Sequence, residues 1–265
     1  MEVAPGLLAV RAPNPGLMTG PGTNQYLLGT REVVQIDAAA LDAENRRRLE
    51  GTGRRAERLV LTHIHPDHVG GALELGVPIA VHRSRARFAL GGHPLDPASA
   101  LEDGDEISYP GGRLVVVHTP GHESGHCCLY EPERRWLFTG DTVLSTGTSI
   151  VAPPDGDMVA YLGSLRRLLA LDLAVIFPGH GPPVTRPYAL LDEYLAHRLL
   201  RERQILEALR DGPAAIDALV ARLYTELHPG LRWAAGLTVR AHVAKLETEG
   251  AVVADSVAGD RFRLV

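Results

Sequence analysis

The sequence predicts an α/β protein whose core is a largely parallel or mixed β-sheet covered by helices. Short apolar runs alternate with helical patterns up to about residue 180, as they do in β-α-β units. Several of these runs stop at histidine or aspartate side chains, which indicates a site along one edge of the sheet. After Pro183 the composition changes and longer helical patterns take over, which predicts a second, smaller part of the fold.

The N-terminal part begins with two predicted strands, residues 6–11 and 23–29, joined by a loop rich in proline and glycine. A third predicted strand, residues 33–36, ends at Asp37. An acid in this position either caps the next helix, predicted over residues 41–49, or supports metal ligands from behind. The sequence leaves both roles open.

A dense group of metal-ligand side chains follows the next apolar run. Alternate residues of an extended chain point the same way, so His63 and His65 can present their imidazoles to one ion. Asp67 and His68 follow a proline turn, which lets them point to a second ion. The glycine pair that starts at Gly70 predicts a close backbone approach where a helix begins.

Three more predicted strands each stop shortly before a side chain that can bind a metal ion. They are residues 114–117 before His122, residues 136–139 before Asp141, and residues 173–177 before His180. Gly140 is expected to remove a side chain that would crowd the ions. Because these strand ends can meet at one edge of a sheet sandwich, the scattered residues and the histidine motif can converge on one site.

This set of ligands suits two ions. The predicted set for one ion is His63, His65 and His122, the set for the other is Asp67, His68 and His180, and Asp141 bridges the two. Imidazole and carboxylate ligands without a thiolate favour two divalent zinc ions, although iron or manganese accepts the same set.

Composition and charge limit the classes of protein to which this chain can belong. The net charge of −5 and the pI of about 6.2 provide no general attraction for nucleic acid. Cys127 and Cys128 are neighbours that would face opposite sides of a strand, so we expect no disulfide framework and a reducing compartment. The N-terminus has no signal-peptide pattern and no apolar run is long enough to span a bilayer, which predicts a cytoplasmic protein without a membrane partner.

The C-terminal region is predicted as a separate domain over residues 186–265, after a first domain over residues 1–185. Helices are predicted over residues 187–210, 214–224 and 231–249, and a hairpin over residues 251–254 and 261–264. Helices followed by a hairpin form a winged-helix outline. Residues 192–265 contain ten Lys and Arg and eleven Asp and Glu. We therefore favour a domain that covers one side of the active-site cleft over one that binds nucleic acid, and expect any RNA binding to be weak.

These motifs resemble the metallo-β-lactamase superfamily over about residues 6–185, at every predicted ligand position. The resemblance implies an αββα sandwich of two mixed sheets and a binuclear metal centre. Asp141 differs from the cysteine that true β-lactamases use in the second metal site, and it is similar to the glyoxalase II and tRNA-processing ribonuclease branches. The superfamily name therefore does not imply antibiotic hydrolysis here.

A second resemblance combines the winged-helix outline with the Asn-Pro-Gly loop at residues 14–16 and the pair Thr23 and Asn24. Together they are similar to the lactamase-B-like group, which includes a mitochondrial endoribonuclease and polyketide carrier-protein thioesterases.

The expected activity is hydrolysis of an ester, thioester or lactone bond by a metal-bridged hydroxide. The resemblance implies that Asp67, besides binding metal, orients the hydroxide and passes its proton to the leaving group. The alternatives are an endoribonuclease for single-stranded RNA, a mononuclear iron persulfide dioxygenase, and a non-catalytic nucleic-acid module that binds metal. The expected partner is a small-molecule or acyl-carrier substrate. Its identity and the oligomeric state are left open, because the substrate contacts would lie in loops such as residues 12–22 and 145–156.

Overall fold

The computed structural model describes residues 1–85, 100–255 and 261–265. The chain forms two compact units that interleave along the sequence. The first unit consists of Met1–Thr119, Gly125–Gly147 and Leu171–Leu190, and the second of Pro120–Ser124, Thr148–Ala170 and Leu191–Val265. The domain boundary between residues 185 and 186 stays a prediction.

The first unit contains a seven-stranded sheet whose strands lie side by side in sequence order. They are β1 Glu2–Ala4, β2 Leu7–Arg11, β3 Asn24–Gly29, β4 Glu32–Ile36, β5 Arg55–Val60, β6 Ile79–His82 and β7 Ala100–Leu101. The pairs from β1 to β4 are antiparallel and the pairs from β4 to β7 are parallel. Parallel neighbours need crossover connections, and helices α1 (Ala43–Glu50) and α2 (Pro66–Val69) lie in two of them.

The first unit also contains a five-stranded sheet in the order β12-β11-β10-β9-β8. Its strands are β8 Glu106–Tyr109, β9 Gly112–His118, β10 Cys127–Glu131, β11 Trp136–Gly140 and β12 Val175–Pro178. All its pairs are antiparallel except β11 with β12, which is parallel. Both sheets are therefore mixed, as predicted.

Buried side chains from both sheets form one hydrophobic core. The ring of Tyr26 on β3 lies with its centroid 5.1 Å from that of Phe138 on β11 and 5.7 Å from that of Phe177 on β12. Every residue of β3 and of β11 is buried, as strands in the middle of a covered sheet should be. The two sheets face each other, and the predicted sandwich of two mixed sheets with helices is confirmed.

The predicted start of the helix after the histidine motif is wrong. Helix α2 begins at Pro66, whose ring suits the first position of a helix, and it ends before Gly70. The close backbone approach is present, because a Cβ atom at Gly71 would lie 2.4 Å from the carbonyl oxygen of Ala39. The glycines therefore make room for a neighbouring chain segment after the helix has ended.

The second unit is helical with a small sheet. Its helices are α3 Met158–Leu169, most of α4 Pro187–Arg210, α5 Ile216–Leu223 and α6 Arg232–Thr248. The sheet has the order β13-β15-β14, with β13 Ala214–Ala215, β14 Val252–Ala254 and β15 Arg261–Leu264. Apolar side chains of α4, α5, α6 and the hairpin share one core. The predicted helices and hairpin are present, although most of the hairpin turn lies in residues 256–260, outside the described residues.

Of the helices in the described part of the chain, none has both the length and the apolar character that crossing a membrane would require.

Candidate metal centre

The loop after β5 brings two imidazoles close together. The strand ends at Val60, and the N–H of Cys127 then donates a hydrogen bond to the carbonyl of Thr62 at 2.8 Å. Nε2 of His63 lies 3.1 Å from Nδ1 of His65, and His63 is fully buried. The alternating side chains of this segment therefore point into one region, as the sequence predicted.

The short helix α2 carries the next two predicted ligands, Asp67 and His68. Nε2 of His68 lies 3.3 Å from Nε2 of His180, and Oδ2 of Asp67 lies 3.2 Å from the same His180 nitrogen. His180 follows β12, where the N–H of Gly179 donates to the carbonyl of Gly140 at 2.8 Å. Side chains from α2 and from the end of β12 meet at this edge of the fold.

Asp141 lies between these two sets of histidines. Its Oδ1 is 3.3 Å from Nε2 of both His68 and His180, and its Oδ2 is 4.0 Å from Nε2 of His63. The two oxygens of one carboxylate face different histidine groups, which is the geometry that a bridging ligand needs.

The predicted ligands fall into two groups, each of which could hold a metal ion. One group is His63, His65, His122 and Asp141, and the other is Asp67, His68 and His180. Within each group the ligand atoms all lie within 4.8 Å of one another. The first group contains the three histidines that the sequence assigns to one ion, together with Asp141, and the second contains the three residues assigned to the other ion.

Hydrogen bonds on the outer side of three imidazoles determine which nitrogen faces inwards. Nδ1 of His68 donates to Asp37 at 2.7 Å, and Nδ1 of His122 donates to a backbone carbonyl at 2.6 Å. The Thr62 hydroxyl donates a hydrogen bond to Asp37. Its oxygen therefore accepts a hydrogen bond from Nδ1 of His63 at 3.0 Å. Each of the three rings therefore presents its Nε2 to the inside of the site, and in the neutral imidazole this nitrogen is the one that can bind metal.

The donor atoms fit divalent metal ions. Ring nitrogens separated by 3.1 and 3.3 Å would repel each other through their lone pairs unless a cation or a proton lies between them. Sets of three or four nitrogen and carboxylate oxygen ligands are those that zinc, iron and manganese accept.

The carboxylates also give the site a negative potential. Burial lowers the pKa of His180, but hydrogen bonds to the carboxylates of Asp141 and Asp67 outweigh it and raise this pKa to about 9. Burial raises the pKa of Asp141, but the imidazoles of His68 and His180 bring it well below its ordinary value. The site therefore attracts positive charge, and protons would compete with metal ions for it.

Of the two predicted roles of Asp37, the structure shows support of a histidine. Asp37 is buried, and its carboxylate accepts hydrogen bonds from the N–H of Thr62 at 2.8 Å as well as from His68. Helix α1 is capped by Asp42 instead, whose side chain accepts from the N–H of Asn45 at 2.7 Å. Asp37 thereby fixes the ring orientation of His68.

Replacing Asp37 by asparagine is expected to weaken metal binding by about 10- to 100-fold, the usual effect of losing the acceptor behind a metal-ligating histidine. The amide keeps the shape of the side chain but removes the charge that holds Nδ1–H of His68. Chelator competition with the purified variant measures this loss.

The matched control is Asp42→Asn, because asparagine caps a helix about as well as aspartate does. Its metal affinity should equal that of the wild-type protein. An Asp37→Asn variant with unchanged affinity would contradict the supporting role of Asp37.

Two residues that the sequence analysis did not assign to the site also contact it. His126 is buried, its ring stacks on that of His63 with centroids 5.0 Å apart, and its Nε2 accepts from the N–H of Asp141 at 3.1 Å. The hydroxyl of Thr23 donates to Oδ2 of Asp67 at 3.2 Å. A histidine immediately before a buried strand was the one available signal for His126, whereas the contact of Thr23 depends on the fold.

Gly140 has different neighbours from those predicted. A Cβ atom there would lie 2.5 Å from Oγ1 of Thr62, at a φ of +44°, so this glycine makes room for residues behind the ligands. The glycine that makes room beside the ligands is Gly179, where a Cβ atom would lie 2.7 Å from Oδ1 of Asp141 and 2.7 Å from Cε1 of His68.

Two family profiles match the chain. The profile described as Metallo-beta-lactamase superfamily covers residues 18–180, and the profile described as Beta-lactamase associated winged helix domain covers residues 215–260. The second match confirms the predicted winged-helix outline.

Curated relatives and a solved structure extend these matches. The Beta-lactamase-like protein 2 homolog of Drosophila melanogaster is 33% identical over 270 residues, which cover 94% of this chain and 90% of the relative. The Atrochrysone carboxyl ACP thioesterase of Aspergillus fumigatus is 34% identical over 221 residues, which cover 79% of this chain and 66% of the relative. A metallo-beta-lactamase family protein from Thermus thermophilus superimposes with a TM-score of 0.83 and 27% identity, covering 100% of both chains.

Proposed function

Because the chain belongs to the metallo-beta-lactamase superfamily, we propose that it is a metal-dependent hydrolase of ester-type bonds, and that a thioester is its substrate. The observation that supports this proposal is the presence of two clusters of histidine and aspartate side chains, each of which could hold one metal ion. His63, His65, His122 and Asp141 would hold one ion and Asp67, His68 and His180 the other, with zinc as the favoured metal. Bound ions would lower the pKa of a water molecule and polarise the carbonyl oxygen of the substrate.

A thioester is favoured within this class by the relative named as an ACP thioesterase. The loop 12–22 supports an acyl substrate as well. Leu17 and Met18 in this loop are 59% and 45% exposed, and the loop leads directly into Thr23, which contacts Asp67. Exposed apolar side chains in a loop that leads to the site offer contacts to an acyl chain. Esters and lactones would use the same chemistry.

Asp67 is the proposed catalytic residue. Burial raises its pKa, but the imidazoles of His180 and His68 bring it below the ordinary value, so the carboxylate is ionised at neutral pH. An ionised carboxylate can accept a proton from the attacking water. The water oxygen then bonds to the carbonyl carbon, the C–S bond breaks, and Asp67 returns the proton to the departing thiolate. The products are a carboxylic acid and a thiol.

The test is a substrate panel given to metal-loaded and to chelator-stripped protein. It contains an acyl-carrier thioester, a simple aryl ester, a lactone, a single-stranded RNA and a persulfide. We expect hydrolysis of the thioester and the ester by the loaded protein only, with recovery when metal is added back. Equal rates with stripped protein would contradict metal dependence. Cleavage of RNA alone, or O₂ consumption with the persulfide alone, would replace the proposed function.

A further inference from the structure

One arginine of α4 is buried, and the described residues offer it no acidic partner. Arg198 is 1% exposed, and no carboxylate in the described part of the chain lies within ion-pair distance of it. Its Nε has no hydrogen-bond partner among the residues that the structure describes. Burying a guanidinium without a carboxylate costs stability. The presence of Arg198 is therefore explained better by what it holds in place than by any gain in stability.

Two contacts of Arg198 lead towards His122. Its Nη2 donates a hydrogen bond to the carbonyl of Ser149, and its guanidinium lies 5.0 Å from the centroid of the Tyr161 ring. The hydroxyl of Ser149 lies 3.3 Å from Nδ1 of His122, and the next carbonyl, that of Ile150, is the acceptor of Nδ1–H at 2.6 Å. Arg198 thus holds the segment that holds His122.

Tyr161 supports the turn on the other side of His122. A Cβ atom at Gly121 would lie 2.3 Å from Cα of Tyr161, so the backbone before His122 packs directly against α3. The carbonyl of Gly121 accepts from the N–H of Asp157 at 2.9 Å. The guanidinium of Arg198 therefore contacts both supports of His122, the carbonyl segment and the helix.

Helix α6 holds the same segment. The N–H of Val151 donates to the hydroxyl oxygen of Thr238 at 3.5 Å, and Thr238 is buried. Residues 149–151 are thus held from α4 through Arg198 and from α6 through Thr238.

We propose that Arg198 is a positioning residue for His122. By holding residues 149–151 against the imidazole, it keeps the acceptor of Nδ1–H in place and so directs Nε2 towards the metal ion. This inference rests on the proposed metal-binding function of His122. It gives the helices of the C-terminal region a role in the metal centre that requires no nucleic acid.

The test is the metal affinity of an Arg198→Leu variant, measured by chelator competition. Loss of support behind a ligating histidine typically weakens binding by about 10- to 100-fold, and we expect this loss for one of the two ions. The absorption bands of the cobalt-substituted variant should change as well. The melting temperature of the metal-free variant should stay the same or rise, because a buried charge has been removed. Arg198→Lys keeps one donor and should recover part of the affinity.

Arg201→Leu is the matched control. Arg201 donates from Nη1 to the carbonyl of Leu223 at 2.7 Å and lies 4.0 Å from the centroid of the Tyr224 ring. It makes the same kinds of contact as Arg198, but to α5 and the residue after it, away from the 149–151 segment. Its loss should leave both metal affinities unchanged.

Thr238→Val removes the second support of the segment and should weaken the same ion in a protein with an intact Arg198. If Arg198→Leu does not fold, the metal affinity of Thr238→Val provides the test instead. If the folded variants bind two ions with the same affinities as the wild-type protein, the positioning role of Arg198 is overturned. A wild-type protein that binds no metal under any loading condition would overturn the proposed function instead.

Discussion

Changing Asp141 to alanine is expected to lower turnover by at least about 10³-fold, because both catalytic charge stabilisation and metal retention depend on it. Its two oxygens lie 3.3 Å from His68 and 4.0 Å from His63, so its removal takes one ligand from the first group and removes the proposed bridge to the second. One ion should be lost. Elemental analysis and turnover of the ester or thioester measure the two effects.

The fold should survive this change, since the aromatic core around Phe138 and Phe177 does not use the Asp141 side chain. Circular dichroism can verify this. Asp172→Ala is a suitable control, because the side chain of Asp172 is 70% exposed and pairs with Arg135 at the surface. An Asp141→Ala variant with two ions and near-normal turnover would refute the bridging assignment.

Replacing Asp67 by asparagine is expected to lower kcat by about 10²- to 10⁴-fold, the usual contribution of a general acid or base. The amide has the same shape but cannot accept a proton from water. KM should change little if the residue acts mainly in the transition state. The variant must be assayed at saturating metal, because Asp67 is also a proposed ligand.

A comparison with Thr23→Val separates orientation from proton transfer. This change removes only the hydroxyl that donates to Oδ2 of Asp67, so its effect on kcat should be much smaller. An Asp67→Asn variant that retains both ions and normal kcat would show that Asp67 transfers no proton.

The ligands that lie directly after strands could be predicted because the pattern is local. An apolar run that stops at Asp141 or at His180 shows in the sequence both the strand and the residue at its end. The parallel pairing of β11 with β12 then brings the two residues together. The same logic failed at Gly70, where the turn-forming glycines were given more weight than Pro66 as a helix start.

The residues that support the ligands could not be predicted in this way. Thr23 contacts Asp67 across 44 residues of sequence, and Arg198 contacts Ser149 across 49 residues. Neither pair has a spacing that a period of 2 or 3.6 could reveal. A buried arginine also reads as an ordinary surface residue of a charged helix until the tertiary structure shows its burial.

We propose that the seven residues of the two ligand groups hold two metal ions, and that these ions enable hydrolysis. Elemental analysis of the purified protein tests it most directly, with ester or thioester turnover followed as metal is removed and restored. We expect about two first-row metal ions per chain, and turnover that is lost when they are removed and regained when they are restored. A reproducible content of one iron per chain, with O₂ consumption on a persulfide and no hydrolysis, would contradict it.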